Sequence, residues 1–340
     1  VVLFFKELKH RAEKYLGYPV HAAMLGRPVH FVDDNPERDA QAQASLQQAA
    51  RAAGFQTIAF ELEPIAAAFD FERRVTQDTR VLVADIGGGT SDFTVIHIGP
   101  SHKNQTERAN DILATSGVHL GGTDFDRLLD LGCVMPLLGY GHRGPSGREL
   151  PNRIFFELAT WHLVHHATNR KSMTAAHQLW RDYTDQTLYQ RLMHVLQERL
   201  GHQLLAEVEA AKIRCAVTGN NTRIDLTCLQ EPVTHPSDAV EVALTPGAMQ
   251  QMLRQQLDAI VQCAQQCAAT AGTDAIDVVY LTGGSSALTP LVDKLTAAFP
   301  TATIAHGDRF GGVAAGLAWA AHNNPALLTQ AEHKQPINAI

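Results

Sequence analysis

A two-lobe α/β fold is what this chain predicts, on three observations. Strand-like and helical runs succeed one another along most of its 340 residues. Glycine turns follow strand-like runs at Gly87–Gly89 and again at Gly283–Gly284. A chain of this length can bury a core large enough for two lobes.

The elements follow in order. The opening VVLFFKELKHRAEKYLG places Leu3, Phe4, Leu8, Ala12, Tyr15 and Leu16 near one helical face, and Gly17 closes the helix. His21–Phe31 reads as a strand carrying Pro28, a residue suited to an edge or bend. Arg38–Ala53 is an alanine- and glutamine-rich helix ended by Gly54, Thr57–Glu61 a short strand, and Glu63-Pro64 opens the helix IAAAFDF. Val81–Ile98 is a strand, a triple-glycine turn and a second strand. Gly99–Asn110 reads as loop, and Thr123 as the N-cap of the helix within Gly117–Gly132. Pro151–Leu205 is mostly helical, Leu204–Ala216 a helix and Thr222–Leu229 a strand. Thr245-Pro246 caps a helix running to Thr270, with Cys263 and Cys267 on its core face. Val278–Leu281 is a buried strand, then come a helix after Pro290, a strand near Thr303–Ala305 and a helix over Gly312–His322. The expected division is 1–79 for what remains of a first lobe and 80–322 for the second, with a loose tail at 323–340. Within the second lobe, 80–119 and 244–322 form the core and 120–243 a helical/β subdomain. A first helix with no cap before it suggests that the start of the domain is missing.

Composition narrows the function. A net charge of −7 argues against a nucleic-acid or anionic-membrane partner. No run approaches the roughly 20 apolar residues that span a bilayer. Val1–Phe5, followed at once by Lys6, Glu7 and Lys9, is too short for a signal peptide. Five cysteines without a CxxC pair suit a reducing, cytoplasmic location.

The chemistry concentrates at Asp85-Ile-Gly-Gly-Gly-Thr-Ser-Asp92. Glycines allow positive φ and bring several N–H groups toward one anion. Asp85 is placed to hold a magnesium ion or its water shell, and Thr90 adds a hydroxyl. No lysine-bearing P-loop is present, so Mg²⁺ and backbone dipoles must neutralise a polyphosphate. The alternative is a plain glycine turn. Other candidates keep two readings each. Glu63 either orients a water beside a metal or complements a helix N-terminus. Gly283, Gly284 and Ser285 either meet a nucleoside or pack closely. Asp308 either accepts from a ribose or caps the last helix. Glu209 and Lys212, three apart, favour a mutual ion pair. His162 and His166 suit a polar helix face better than a metal site.

Taken in order, LGRPVHF (Leu25–Phe31), EPIAAA (Glu63–Ala68), DIGGGTSD (Asp85–Asp92), LGGTDFD (Leu120–Asp126), Glu209–Lys212 and Leu281–Pro290 resemble the nucleotide-binding domain of DnaK-type (70 kDa) heat-shock chaperones. That domain belongs to the actin and sugar-kinase ATPase superfamily, with its ribonuclease H-like fold. The GRPxxF form, MPLLG (Met135–Gly139) and GDxFG (Gly307–Gly311) are similar to its YegD-type branch. The resemblance implies ATP or ADP with Mg²⁺ as ligands. It implies Asp85 beside the metal, Gly87, Gly88 and Gly89 around the phosphates, Thr90 near the terminal phosphate, and Glu63 organising metal and water. Glu209 and Lys212 would bind ribose, and Gly283, Gly284 and Ser285 would lie against adenosine. The family's first phosphate loop and its lysine would precede residue 1. The expectation is therefore an incomplete first lobe, weak or lost hydrolysis, and a protein partner or self-association through that lobe. A nucleotide-independent interaction protein and a small-molecule kinase are the alternatives.

Overall fold

The computed structural model describes residues 1–32, 35–72, 75–102, 108–230, 240–272, 275–308, 311–322, 324 and 327. The amino-terminal part comprises helix α1 (Val2–Leu16), strand β1 (Ala22–Arg27), α2 (Pro36–Ala52), β2 (Thr57–Leu62) and α3 (Glu63–Glu72). β1 and β2 pair in parallel, Ala22 opposite Thr57 and Arg27 opposite Leu62. The first strand stops at Arg27, short of the expected Phe31, because Pro28 has no N–H to give to a ladder. Asn35 caps α2 by accepting from the Arg38 amide, and Pro36 fills its first turn.

β3 (Thr79–Ile86) and β4 (Ser91–Ile98) form the predicted hairpin. They centre a five-stranded sheet of order β5-β4-β3-β8-β9, where β5 is Ile112–Val118, β8 Val278–Thr282 and β9 Thr303–His306. The β3–β4 and β4–β5 pairs are antiparallel and the β3–β8 and β8–β9 pairs parallel, so the sheet is mixed. Most of β5 lies between the expected loop, which ends at Asn110, and the glycine turn expected from Gly117, and no strand was expected there. Its Ala, Ser and Gly carry little strand propensity, and pairing with β4 decides its state.

Strand periodicity sorts this sheet into two faces. Leu82, Ala84, Ile86, Phe93 and Val95 point into the larger core, toward α4 (Gly122–Cys133) and α10 (Pro246–Thr270). Between those two helices in sequence lie α5 (Arg153–Ala159), α6 (Val164–Ala167), α7 (Arg170–Gln178), α8 (Gln186–Gln197), α9 (Gly201–Thr218) and a small antiparallel pair. That pair is β6 (Thr222–Asp225) with β7 (Glu241–Leu244). β6 is half the expected strand, since Thr227–Leu229 turns as a 3₁₀ helix. The opposite face of the sheet, Val81, Val83, Ile96 and Ile98, packs on Ile65 and Phe69 of α3. α11 (Thr289–Ala298) and α12 (Gly312–His322) complete the chain. α12 crosses α3 where a Cβ at Gly316 would overlap the Ala66 carbonyl, so this crossing admits only glycine.

Two local expectations change. Gly121, not Thr123, is the residue before α4; its amide meets the Asp124 carboxylate at 3.1 Å. Thr123 sits inside the helix and gives its hydroxyl to the Gly88 carbonyl at 2.8 Å. Cys263 and Cys267 are buried, as their spacing predicts. Residues 309–310 of the GDxFG turn, part of the Gly99–Asn110 loop, and the tail apart from 324 and 327 lie outside the described residues.

Candidate functional site

The register of the central hairpin sets the site. Asp85 lies directly opposite Asp92, and Thr282 flanks Asp85 on its other side. Like charges in directly opposed positions repel. Both carboxylates share the sheet face that receives α3, so docking Ile65 and Phe69 delivers Glu63, the first residue of that helix, to the same place. The three acids line one cleft of ≈1250 Å³ with Pro28, Thr90 and His119.

Among the described residues, no cation offsets these acids. Burial, then the charges of Asp85 and Asp92, hold the Glu63 carboxyl above its ordinary range. Burial, then Asp92, does the same to Asp85. Arg27 lines the same cleft, but its guanidinium is bound to Asp39 at 2.8 Å and to the Pro28 and Val29 carbonyls. Thr90 donates its hydroxyl to Asp92 at 2.8 Å. Among the described residues, no three His, Cys, Asp or Glu side chains converge closely enough to ligate an ion directly. One or two carboxylates beside an anionic ligand do suit Mg²⁺, which keeps several of its waters.

The glycine turn works differently from the expectation of positive φ. None of Gly87, Gly88 or Gly89 has it. What distinguishes them is space: a Cβ on Gly88 or Gly89 would meet nothing within 4 Å. The protein's own packing does not demand glycine there, and the room in front of the turn suits a ligand. The carbonyls behind the turn are taken. Gly87 O accepts from the Gly122 amide at 3.0 Å and the Ser285 hydroxyl at 3.0 Å, and Gly88 O from the Thr123 amide at 2.7 Å. The Gly88 and Gly89 amides donate to no acceptor among the described residues.

The second group of candidates is placed less openly. Gly283, at φ +84°, abuts the Asp85 carboxylate and the Ile86 carbonyl, which leaves no room for a side chain. It and Ser285 brace the first turn from behind. The mutual Glu209–Lys212 pair does not form: Lys212 is buried against Asp126 at 2.7 Å, while Glu209 is exposed. Asp308 caps the turn into α12, accepting from the Gly311 amide at 3.0 Å. His162, His165 and His166 are exposed, as expected of a polar face. The structure thus brings Glu63, Asp85 and Thr90 together, and keeps Glu209, Lys212 and Asp308 out of that cleft. Asp92 and Arg27 had not been selected as site residues. The signal for Asp92 was available: acids placed symmetrically about a short turn face each other in a hairpin.

With this geometry in hand, comparison with known proteins is informative. Residues 2–132 match the family model described as Hsp70 protein. That span holds Glu63, Asp85, the triple glycine and Asp92, but not Glu209, Lys212 or Ser285. Chaperone protein DnaK of Thermosipho melanesiensis is 39% identical over 128 residues, which is 37% of this chain and 19% of that protein. Chaperone protein DnaK of Thermosipho africanus matches with the same identity and coverage. The matched stretch therefore spans about a fifth of the length of these curated relatives. The mixed sheet and its flanking helices are consistent with the actin-like α/β fold of the Hsp70 proteins that residues 2–132 resemble. No helix among the described residues is long and apolar enough to cross a membrane.

Proposed function

We propose that this chain binds ATP and ADP with Mg²⁺ at the Gly87–Thr90 turn, as a chaperone-like ATPase domain of the YegD-like type. The observation that carries the reading is the pairing of three carboxylates lacking a counter-charge with two undonated glycine amides beside them. A divalent cation would supply the positive charge that the phosphates and the acids both need. Asp85 and Asp92 would hold its water shell, and the Gly88 and Gly89 amides would point at phosphate oxygens. Thr90 would turn its hydroxyl from Asp92 to the ligand. Glu63, once ionised by the cation's field, would accept a proton from an attacking water at its carboxylate. Arg27, the one lysine or arginine among the described residues lining the cleft, is held by Asp39, and Lys212 is held by Asp126, so turnover would be slow.

Titration calorimetry with ADP and ATP tests this. The expected result is binding that requires Mg²⁺ and weakens at least about ten-fold in Asp85→Ala, the loss of one charged contact. Binding indifferent to that substitution would remove the assignment. A protein partner is a second reading, favoured by α1, which buries no residue and leaves Leu3 81% and Tyr15 90% exposed. Sedimentation across a concentration series would reveal self-association through it.

A further inference from the structure

The helical subdomain carries a surface that the proposed chemistry does not use. From Pro151 to Arg181 the chain holds four lysine or arginine residues, four histidines and one acid, Glu157, although its net charge as a whole is −7. Glu157 is buried and accepts from Arg153 at 2.7 Å and from the Ser172 hydroxyl at 3.5 Å, so it offsets none of the other cations. The outer side of α5, α6 and α7 therefore presents basic groups and no carboxylate, where an ordinary soluble surface intersperses both signs.

Folding gathers these groups. α5, α6 and α7 pack in succession, and Phe155, Ala167 and Ala176 enter the same core. What faces outward is His165 and His166, whose rings lie 4.0 Å apart, then Arg170 and Lys171. Apolar surface joins them: Phe156 is 43%, Trp161 58% and Trp180 50% exposed. Trp161 sits in the turn from α5 to α6, and Trp180 in the 3₁₀ turn Leu179–Arg181 that follows α7. Exposed tryptophan beside arginine is the composition of an interface centre. The stretch lies outside residues 2–132 that match the family model, and none of its side chains lines the acidic cleft.

Two of the cations stand where the fold gains nothing from them. Arg170 and Lys171 are the first two residues of α7, where the helix dipole disfavours positive charge, and neither forms an ion pair among the described residues. We propose that the outer face of α5–α7 binds an acidic segment of a partner protein, with an apolar side chain against Trp161 and carboxylates at Arg170 and Lys171. A nucleic acid fits less well, because the patch offers few free cations and the rest of the chain is acidic enough to repel a long polyanion. A short acidic segment meets only the patch, and complementary charge steers its approach.

The test uses the intact chain and a fluorescein-labelled peptide of glutamates flanking a leucine, read by fluorescence anisotropy. Saturable binding is expected. Trp161→Ala should weaken it at least about ten-fold, as loss of an interface anchor does. Arg170→Glu with Lys171→Glu should weaken it as much or more while leaving the melting temperature unchanged or raised, since acids suit the start of α7. Lys6→Glu with Lys14→Glu, the same change of charge on the exposed side of α1, should leave binding intact. Equal weakening by that pair would reduce the effect to net charge and overturn the proposal, as would a lack of saturable binding. A single-stranded oligonucleotide that binds this face more tightly than the peptide would overturn it too. So would dimers of this chain that dissolve in the Arg170→Glu, Lys171→Glu protein, because the face would then belong to a second copy.

Discussion

At the carboxyl end of α3, Glu72 is 2% exposed and both its oxygens meet the Arg108 guanidinium, at 2.8 and 3.0 Å. Arg108 also reaches Asp111 at 2.5 Å, and Asp111 meets His102 at 2.6 Å. At the amino end of the same helix, Glu63 lies among Asp85 and Asp92, and no cation among the described residues offsets it. The two ends of one ten-residue helix hold a carboxylate whose needs the protein meets and one whose needs it does not. The difference separates structure from function. Buried charge that serves the fold is paired within the fold. Buried charge held for a ligand is left in repulsion until the ligand arrives, and the stability lost there is recovered on binding.

The largest effect should come from breaking the satisfied end. Arg108→Met leaves Glu72 and Asp111 buried without their cation and should cost about 3–5 kcal/mol in urea unfolding. A loss below ~1 kcal/mol would mean that water reaches the network and that the contrast is weaker than drawn. Next comes the middle of the helix. Gly316→Val, forced against the Ala66 carbonyl, should cost about 1–3 kcal/mol or more by overpacking. Circular-dichroism melts would register it without any change in the pH dependence of stability.

Smaller and opposite in sign, Glu63→Gln relieves repulsion at the unsatisfied end. It should stabilise the ligand-free protein by up to ~1 kcal/mol while weakening Mg-nucleotide binding. Glu72→Gln should only destabilise. If both glutamine variants destabilise, Glu63 is a structural residue. The smallest effect is the pH slope itself. Glu63 and Asp85 are raised in the folded protein, so the fold binds their protons more tightly than the unfolded chain does. Their contribution is greatest at pH below the unfolded carboxylate range and is lost as pH rises through the folded values. Melting temperature should decline over that interval, and millimolar Mg²⁺ should reduce the decline. A slope insensitive to Mg²⁺ would place the cation elsewhere.

Much of this arrangement is legible in the sequence. The Val81–Ile98 hairpin declares itself because β-branched alternation on both sides of a glycine turn is a local signal. Thr245-Pro246 and the Gly312–His322 helix are visible for the same reason, through capping chemistry and periodicity. β5 and β7 are not legible, since Ala, Ser, Gly and Glu there become strand only when β4 and β6 pair with them. Glu209 and Lys212 mislead for a related reason. Their spacing permits a helical pair, but a buried ammonium takes the more desolvated acid, and Asp126 lies 86 positions away in the chain.

By itself the sequence determined the glycine turn, the strands that present it and the acids at its base, because each depends on neighbours within a few residues. Tertiary structure alone decided which carboxylates stand unpaired. Charge satisfaction is a property of what packs against a group: α3 brings Glu63 to Asp85, Arg108 reaches back to Glu72, and α9 commits Lys212 to Asp126. None of these pairings is set by local spacing, since each joins elements that meet only when the sheet buries its two faces.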